Sequence, residues 1–193
     1  MTDGTTTRSA VESLADRAGR CAGRVQLTEL GDHRKLGLKG PHCVAWLSSQ
    51  AVEVPGDVYG VHVVEDGSLL ARTGSDEIII ESPHPGPFID NMEHRLSPPV
   101  PGVYRVEQQS TSLRLGGVGA PALWRQTCGV DIPAEPVNRI LYTRVAGVSC
   151  GIIPEDLNGE RAYRLWVDYS YAPALLQALL EIAESLDEPP FLQ

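Results

Sequence analysis

The chain has 193 residues, 42% of them hydrophobic and 6% aromatic, and its 16 Lys and Arg against 25 Asp and Glu leave a formal net charge of −9. This balance argues against nucleic-acid and anionic-membrane partners, because both require a concentrated cationic face. The longest apolar runs, such as residues 78–80, fall far short of the roughly 20 residues that span a bilayer. We therefore expect a soluble globular protein of one domain or two small ones.

The cysteines and the N-terminus favour a cytoplasmic protein. Residues 1–7 are polar and lack the basic start and apolar stretch of a secretory signal. No C-x-x-C pair is present, so free thiols of a reducing compartment are the default expectation. The four cysteines are Cys21, Cys43, Cys128 and Cys150.

The first 24 residues predict a polar tail followed by a short helix. From Ser9 onward, apolar residues recur at intervals of three and four, which is the spacing of a helix face. Val25, Leu27 and Leu30 then follow, and the first two alternate with polar residues as in a half-buried strand. This strand opens the first of two larger segments.

Residues 25–98 and 99–193 predict the same order of elements, strand–helix–strand–strand–strand–helix. The first copy is expected to have strands near 35–39, 61–64, 69–71 and 77–81 and helices near 42–49 and 88–96. The second copy is expected to have strands near 113–115, 140–145, 149–153 and 163–168 and helices near 120–128 and 172–186. Turn residues such as Asp66-Gly67 and Asn158-Gly159 separate the strands.

This repeat predicts an α+β fold with two tandem halves. Leu38 and Gly40 match Leu115 and Gly117, and further on 78–80 matches 165–167. The hairpins imply mainly antiparallel sheets with helices on one face. The strands 77–81 and 163–168 are apolar enough to be central strands that are buried on both faces.

Two catalytic motifs occur, and their contexts argue against both. Gly147–Gly151 fits the G-x-S-x-G pattern of a hydrolase serine, but Asn158-Gly159 follows where a helix would begin, and all five histidines precede Ser149. A hairpin bend is expected there instead. Residues 117–122 fit G-x-G-x-x-A, yet no parallel strand follows and Asp131 comes too early to bind a ribose. Here we expect glycines that allow a tight turn.

The remaining polar residues predict neither a metal site nor catalytic residues. The histidines are scattered and the cysteines lack zinc-ligand spacing. Five residues are instead candidates for a partner interface, because aromatic and arginine side chains often anchor such surfaces. These candidates are Trp124, Arg125, Arg144, Tyr169 and Tyr171.

Several short motifs resemble one known family. The matching stretches are residues 113–117, 123–124, 128–131, 143–146 and 163–172, together with 36–40 and 78–80 in the first half. They resemble the gamma subunit of heterotetrameric sarcosine oxidase, a family related to the folate-binding T-protein of glycine cleavage, which is an aminomethyltransferase. The similarity extends over nearly the whole chain and implies a T-protein-like fold.

The resemblance implies an accessory, non-catalytic subunit of a hetero-oligomeric oxidoreductase. Such a complex demethylates sarcosine or a related N-methyl amine or amino acid and feeds one-carbon metabolism. Its larger partner subunits would carry FAD, FMN, NAD and tetrahydrofolate, and no cofactor is assigned to this chain alone. Two other hypotheses stay open: a stand-alone folate-binding C1 transferase, and a homodimeric ligand-binding module.

Overall fold

The computed structural model describes residues 24–187, so the helix expected from Ser9 lies outside the described residues. The described chain forms two compact units: unit 1 comprises residues 24–31, 110–137 and 141–187, and unit 2 comprises 32–109 and 138–140. None of the helices described is both long and apolar enough to cross a membrane.

Ten strands and four α-helices make up the described chain. In chain order they are β1 (Gln26–Glu29), β2 (Arg34–Lys39), α1 (Cys43–Ser49), β3 (Val61–Val63), β4 (Leu69–Gly74), β5 (Glu77–Ser82), α2 (Pro87–Arg95), β6 (Tyr104–Val106), β7 (Ser110–Gly116), α3 (Ala120–Thr127), β8 (Leu141–Val145), β9 (Val148–Leu157), β10 (Glu160–Asp168) and α4 (Ala172–Asp187). A 3₁₀ turn at Ile132–Ala134 follows α3. The predicted α+β class and the repeated element order are confirmed.

Each unit contains one five-stranded sheet in which every pair of strands is antiparallel. The order is β1-β7-β10-β9-β8 in unit 1 and β3-β4-β5-β2-β6 in unit 2. The strands β2 to β5 and β7 to β10 therefore have the same connectivity. The fifth strand distinguishes the units, because β1 precedes β2 in sequence but pairs with β7, whereas β6 precedes β7 but pairs with β2.

This exchange of leading strands changes the domain boundaries. The sequence predicts a tail with a helix at 1–24 and halves at 25–98 and 99–193, but each unit takes its edge strand from the other half. The choice of sheet for an edge strand depends on long-range pairing, which leaves no local pattern. The three-residue strand β6 is also absent from the prediction, since it is too short to show alternation.

The hydrophobic core of each unit lies between one sheet face and the helices. In unit 1, Leu113, Leu165 and Leu176 belong to one buried cluster, and in unit 2, Leu38, Ile80 and Ile89 do so. The central strands β5 and β10 are buried at almost every position, including those that face away from the helices. The prediction that both are central strands is confirmed.

The sheet register refines the alignment of the two copies. Ile78 lies opposite Leu38, and Tyr163 lies opposite Leu115. If Leu38 and Leu115 correspond, the counterpart of Ile78 is Tyr163, two residues earlier than the sequence match with Leu165 indicates. A pattern of alternating apolar residues does not distinguish these alignments, because a shift of two residues keeps every side chain on its face.

Candidate functional site

A cavity of about 410 Å³ lies in unit 1, where β7 leads into α3. Its volume falls within the range of small-molecule sites in proteins. It is lined by Arg24, Gln26, Gly117, Val118, Ala120, Pro121, Glu160, Arg161 and Tyr163. The site therefore combines two guanidinium groups and one carboxylate with small apolar residues.

The turn between β7 and α3 is packed tightly against the start of β1. Gly117 has a φ of +89°, and a Cβ added there would lie 2.6 Å from the Arg24 carbonyl oxygen. A Cβ added at Gly119 would lie 2.8 Å from the Arg24 Cβ, and the Gly119 N–H donates a hydrogen bond to the Arg24 carbonyl at 2.5 Å. Both glycines are thus needed for close approach of the backbone.

The same turn offers few amides to a phosphate. The Gly119 N–H is bonded to Arg24, the Ala120 N–H donates to the Gly117 carbonyl at 3.0 Å, and Pro121 has no N–H. A dinucleotide-binding turn uses such amides to hold a pyrophosphate. The interpretation of G-x-G-x-x-A as a tight packing turn is confirmed.

Arg161 is a half-buried cation at the wall of the cavity. Its Nη2 donates to the Glu135 carbonyl, which follows the 3₁₀ turn, and its guanidinium carbon lies 5.7 Å from the Tyr163 ring centroid. Its Nε is shielded from solvent and has no hydrogen-bond partner among residues 24–187. These contacts hold the guanidinium in place while leaving part of its donor capacity unused.

Tyr163 forms an aromatic pair with Trp124 of α3 beside the cavity. The ring centroids lie 5.2 Å apart at an interplanar angle of 77°, an edge-to-face arrangement. Burial raises the pKa of the Tyr163 hydroxyl, and the nearby Arg161 guanidinium partly offsets that rise. The neutral phenol is therefore the favoured form, and Tyr163 contributes a wall rather than a base.

The five interface candidates come from separate parts of unit 1. Trp124 is only 1% exposed and packs in the core, so its side chain presents no surface to a partner. Arg125 on α3 and Arg144 on β8 are exposed. Tyr169 and Tyr171 are 53% and 59% exposed. The interface stays a prediction that now depends on these four residues.

Tyr169 and Tyr171 lie in an ordered turn between β10 and α4. The Asp168 carboxylate accepts hydrogen bonds from the Ser170 N–H at 2.9 Å and the Ser170 hydroxyl at 2.5 Å. These bonds hold the pKa of Asp168 below its ordinary value. The turn therefore fixes the backbone from which both tyrosines project.

Ser149 lies in strand β9, two residues after the Ala146–Gly147 turn that joins β8 to β9. A strand follows it instead of a helix, so the expected hairpin bend is confirmed and the hydrolase geometry is absent at this serine. Within residues 24–187, no three His, Cys, Asp or Glu side chains are grouped in a way that could hold a metal ion.

The sequence motif marks the turn of the cavity but does not indicate its charged residues. G-x-G-x-x-A marks residues 117–122, whereas Arg24, Glu160 and Arg161 join them only through the fold. Arg161 carries one usable pattern, because Arg161, Tyr163 and Leu165 alternate and so share one face of β10.

The fold and this site define an α+β protein made of two related antiparallel units. No protein-family model matches the sequence. No curated protein is similar enough to count as a relative.

Solved structures give the more specific comparison. A chain of the heterotetrameric sarcosine oxidase from Corynebacterium sp. U-96, solved in complex with pyrrole 2-carboxylate, matches with a TM-score of 0.76 at 21% identity, over 95% of this chain and 97% of that one. The glycine cleavage system aminomethyltransferase T from Bartonella henselae matches with a TM-score of 0.61 at 15% identity, over 86% of this chain and 48% of that one. The expected T-protein-like fold is confirmed.

Proposed function

We propose that the chain is an accessory, gamma-type subunit of a multi-subunit flavin-dependent oxidoreductase that demethylates sarcosine or a related N-methyl amine or amino acid. Tetrahydrofolate-linked one-carbon transfer would take place on a partner subunit. The observation that carries the proposal is the match along 95% of this chain and 97% of a chain from heterotetrameric sarcosine oxidase. A match of that extent supports a counterpart of a whole subunit rather than a shared module.

One exposed turn of unit 1 supports a docking role. Tyr169 and Tyr171 project from a turn that is fixed by hydrogen bonds, so little backbone freedom is lost when a partner covers them. Exposed aromatic side chains of this kind are enriched at protein interfaces. The proposed subunit contact therefore includes this turn.

Isolation of the chain from its own host tests the proposal. The tagged chain should co-purify with larger subunits, the flavin absorbance should follow the complex, and native mass spectrometry should give a hetero-oligomer. The purified complex should oxidise sarcosine or another N-methyl amine. Recovery of the chain by itself, without flavin-bearing partners, would contradict the proposal.

A paired variant locates the contact within the complex. Replacing Tyr169 and Tyr171 by alanine should weaken recovery of the partners while the far-UV spectrum of the chain stays unchanged, because both side chains are exposed. Val130→Ala is the matched control, since Val130 is 38% exposed and lies in a different loop. Equal recovery with both variants would remove the turn from the contact.

The second candidate function is a folate-binding aminomethyltransferase-like C1 transferase. The match to aminomethyltransferase T favours it, but this chain spans only about half of that protein. Calorimetry of the isolated chain with tetrahydrofolate separates the candidates, because a saturable heat supports the transferase. A homodimeric ligand-binding module, the third candidate, predicts a symmetric dimer in light scattering of the chain by itself.

A further inference from the structure

We propose that the cavity of unit 1 binds a small organic carboxylate, with Arg161 as its main ligand and Arg24 as a second cation. The site extends the function beyond the subunit role and does not depend on it. Its evidence is the cavity of about 410 Å³ and the two guanidinium groups at its wall, of which that of Arg161 has no carboxylate partner within residues 24–187.

Arg161 differs from the other partly buried arginines in the described part of the chain. Those arginines are paired with carboxylates or, in the case of Arg72, with backbone carbonyls. The carboxylate pairs are Arg34 with Asp90 and Glu93, and Arg114 and Arg164 with Glu155. Arg161 donates to the Glu135 carbonyl and also interacts with the Tyr163 hydroxyl, but it has no carboxylate partner within residues 24–187. A ligand anion would supply the missing counter-charge.

The charges around the cavity favour a monoanion. Arg24 and Arg161 contribute two positive charges, and Glu160 contributes one negative charge. The remaining single positive charge matches a carboxylate, whereas a phosphate dianion would leave an excess negative charge beside Glu160. The turn amides do not offset that excess, because Gly119 and Ala120 already use theirs within the fold.

The rest of the lining fits an apolar body attached to the carboxylate. Tyr163, Pro121, Ala120 and Val118 supply aromatic and aliphatic surface beside the guanidinium groups. Val118 is 82% exposed, so its apolar surface is available to a bound ligand. A ligand with a ring or short alkyl chain would cover part of this surface while its carboxylate meets Arg161.

The test uses three probes of equal ring size with the full 193-residue chain. Benzoate carries the carboxylate, benzamide is its neutral analogue, and phenyl phosphate carries the dianion. At constant ionic strength, titration followed by NMR should show saturable millimolar binding of benzoate, at least about tenfold weaker binding of benzamide, and weaker binding of phenyl phosphate. Absence of benzoate binding, or equal binding of benzamide, overturns the proposal.

Variants assign the binding to the cavity. Arg161→Gln should weaken benzoate binding by about tenfold or more, and Arg161→Lys should recover part of it, because a charge is restored without the bidentate geometry. Arg24→Gln removes an exposed side chain, so it tests the site even if Arg161→Gln fails to fold. Arg139→Gln, an exposed arginine of unit 2, is the charge-matched control. The assignment is contradicted if Arg139→Gln weakens benzoate binding as much as the cavity variants do. It is also contradicted if the chain prefers phenyl phosphate, or if neither Arg24→Gln nor Arg161→Gln weakens benzoate binding.

Discussion

The two units share a turn that repeats bond by bond. In unit 1, Gly119 donates to the Arg24 carbonyl and Ala120 donates to the Gly117 carbonyl. In unit 2, His42 donates to the Gly102 carbonyl at 3.1 Å, and Cys43 donates to the Gly40 carbonyl at 3.0 Å. The accepting residue, Arg24 or Gly102, lies just before the edge strand β1 or β6. The turn therefore fixes where that edge strand joins the sheet.

The units differ in the hairpin beside this turn. Strands β4 and β5 have 6 residues each, whereas β9 and β10 have 10 and 9. Glu160 and Arg161 lie on the longer hairpin, beyond the position that corresponds to the start of β5, and they line the cavity. The repeated elements therefore form the scaffold, and the candidate site lies where the hairpin of unit 1 is longer than that of unit 2.

The largest expected effect tests a feature that the units share, a largely buried glutamate with two basic neighbours. Glu155 lies 2.6 Å from Arg164 and 3.1 Å from Arg114, and Glu81 lies 2.8 Å from His33 and 3.8 Å from Lys35. Removing such a partner leaves buried charge uncompensated, so Glu155→Ala and Glu81→Ala should each lower the free energy of unfolding by about 3–5 kcal/mol.

Urea unfolding followed by circular dichroism measures both losses. The control is Glu65→Ala, an exposed position where a change within about 0.5 kcal/mol is expected. If Glu155→Ala or Glu81→Ala changes the free energy of unfolding as little as Glu65→Ala does, the two units are not stabilised by the same kind of ion pair.

The next effect concerns the repeated turn. Gly117→Ala and Gly40→Ala should each lower the free energy of unfolding by about 1–3 kcal/mol. Both glycines have a positive φ, and a backbone oxygen lies where the new methyl group would be. Gly159→Ala isolates the strain, since its φ is +86° but nothing lies within 4 Å of the added Cβ. Gly129→Ala, where the space is also open and no positive φ occurs, should be nearly neutral.

Thermal or urea unfolding of the four variants measures the loss in free energy of unfolding. This loss should be largest for Gly117→Ala and Gly40→Ala, smaller for Gly159→Ala and smallest for Gly129→Ala. A cost for Gly117→Ala no larger than that for Gly159→Ala would show that close approach to Arg24 does not constrain the turn.

A further effect compares a cysteine in each core. Burial raises the pKa of the Cys150 thiol to about 12 in unit 1, and burial raises the pKa of Cys43 in unit 2. Because the thiolate is the reactive form, both thiols should be alkylated far more slowly than a free cysteine near pH 8.

Peptide-resolved mass spectrometry after a short iodoacetamide pulse measures the two rates. Full labelling of both residues in urea is the control for reagent access. Rapid labelling of either cysteine in the folded chain would contradict its burial in that core.

The smallest effect concerns the residues that precede the last helix of each repeat, α4 in unit 1 and α2 in unit 2. Ser170 hydrogen bonds lower the pKa of Asp168 before α4, whereas the corresponding stretch before α2 contains Pro83, Pro85 and Gly86. A lowered folded-state pKa stabilises the fold above the ordinary value of 3.8, and this contribution is lost as the pH falls through the lower folded-state pKa.

Carbon-detected NMR titration of the Asp168 carboxyl should therefore give a midpoint below 3.8. Ser170→Ala should move the midpoint up toward that value by removing the hydroxyl donor. An unchanged midpoint in this variant would show that the Ser170 hydroxyl does not set the pKa.

Local patterns determined the elements of this protein. Hydrophobic periodicity and turn residues such as Asp66-Gly67 act over a few neighbouring residues, so the strand–helix order of both copies and the central position of 77–81 and 163–168 follow from the sequence. The Gly117–Gly119 spacing likewise marked a tight turn before α3.

Only the tertiary structure decided which edge strand joins which sheet and which charges meet at the cavity. The β1 and β6 strands carry too few residues for a pairing preference, and their partners lie far away in sequence. Arg24 and Arg161 become neighbours of one cavity because β1 pairs with β7 and β7 pairs with β10. Such convergence arises from long-range hydrogen bonding and burial, which no short stretch of sequence encodes.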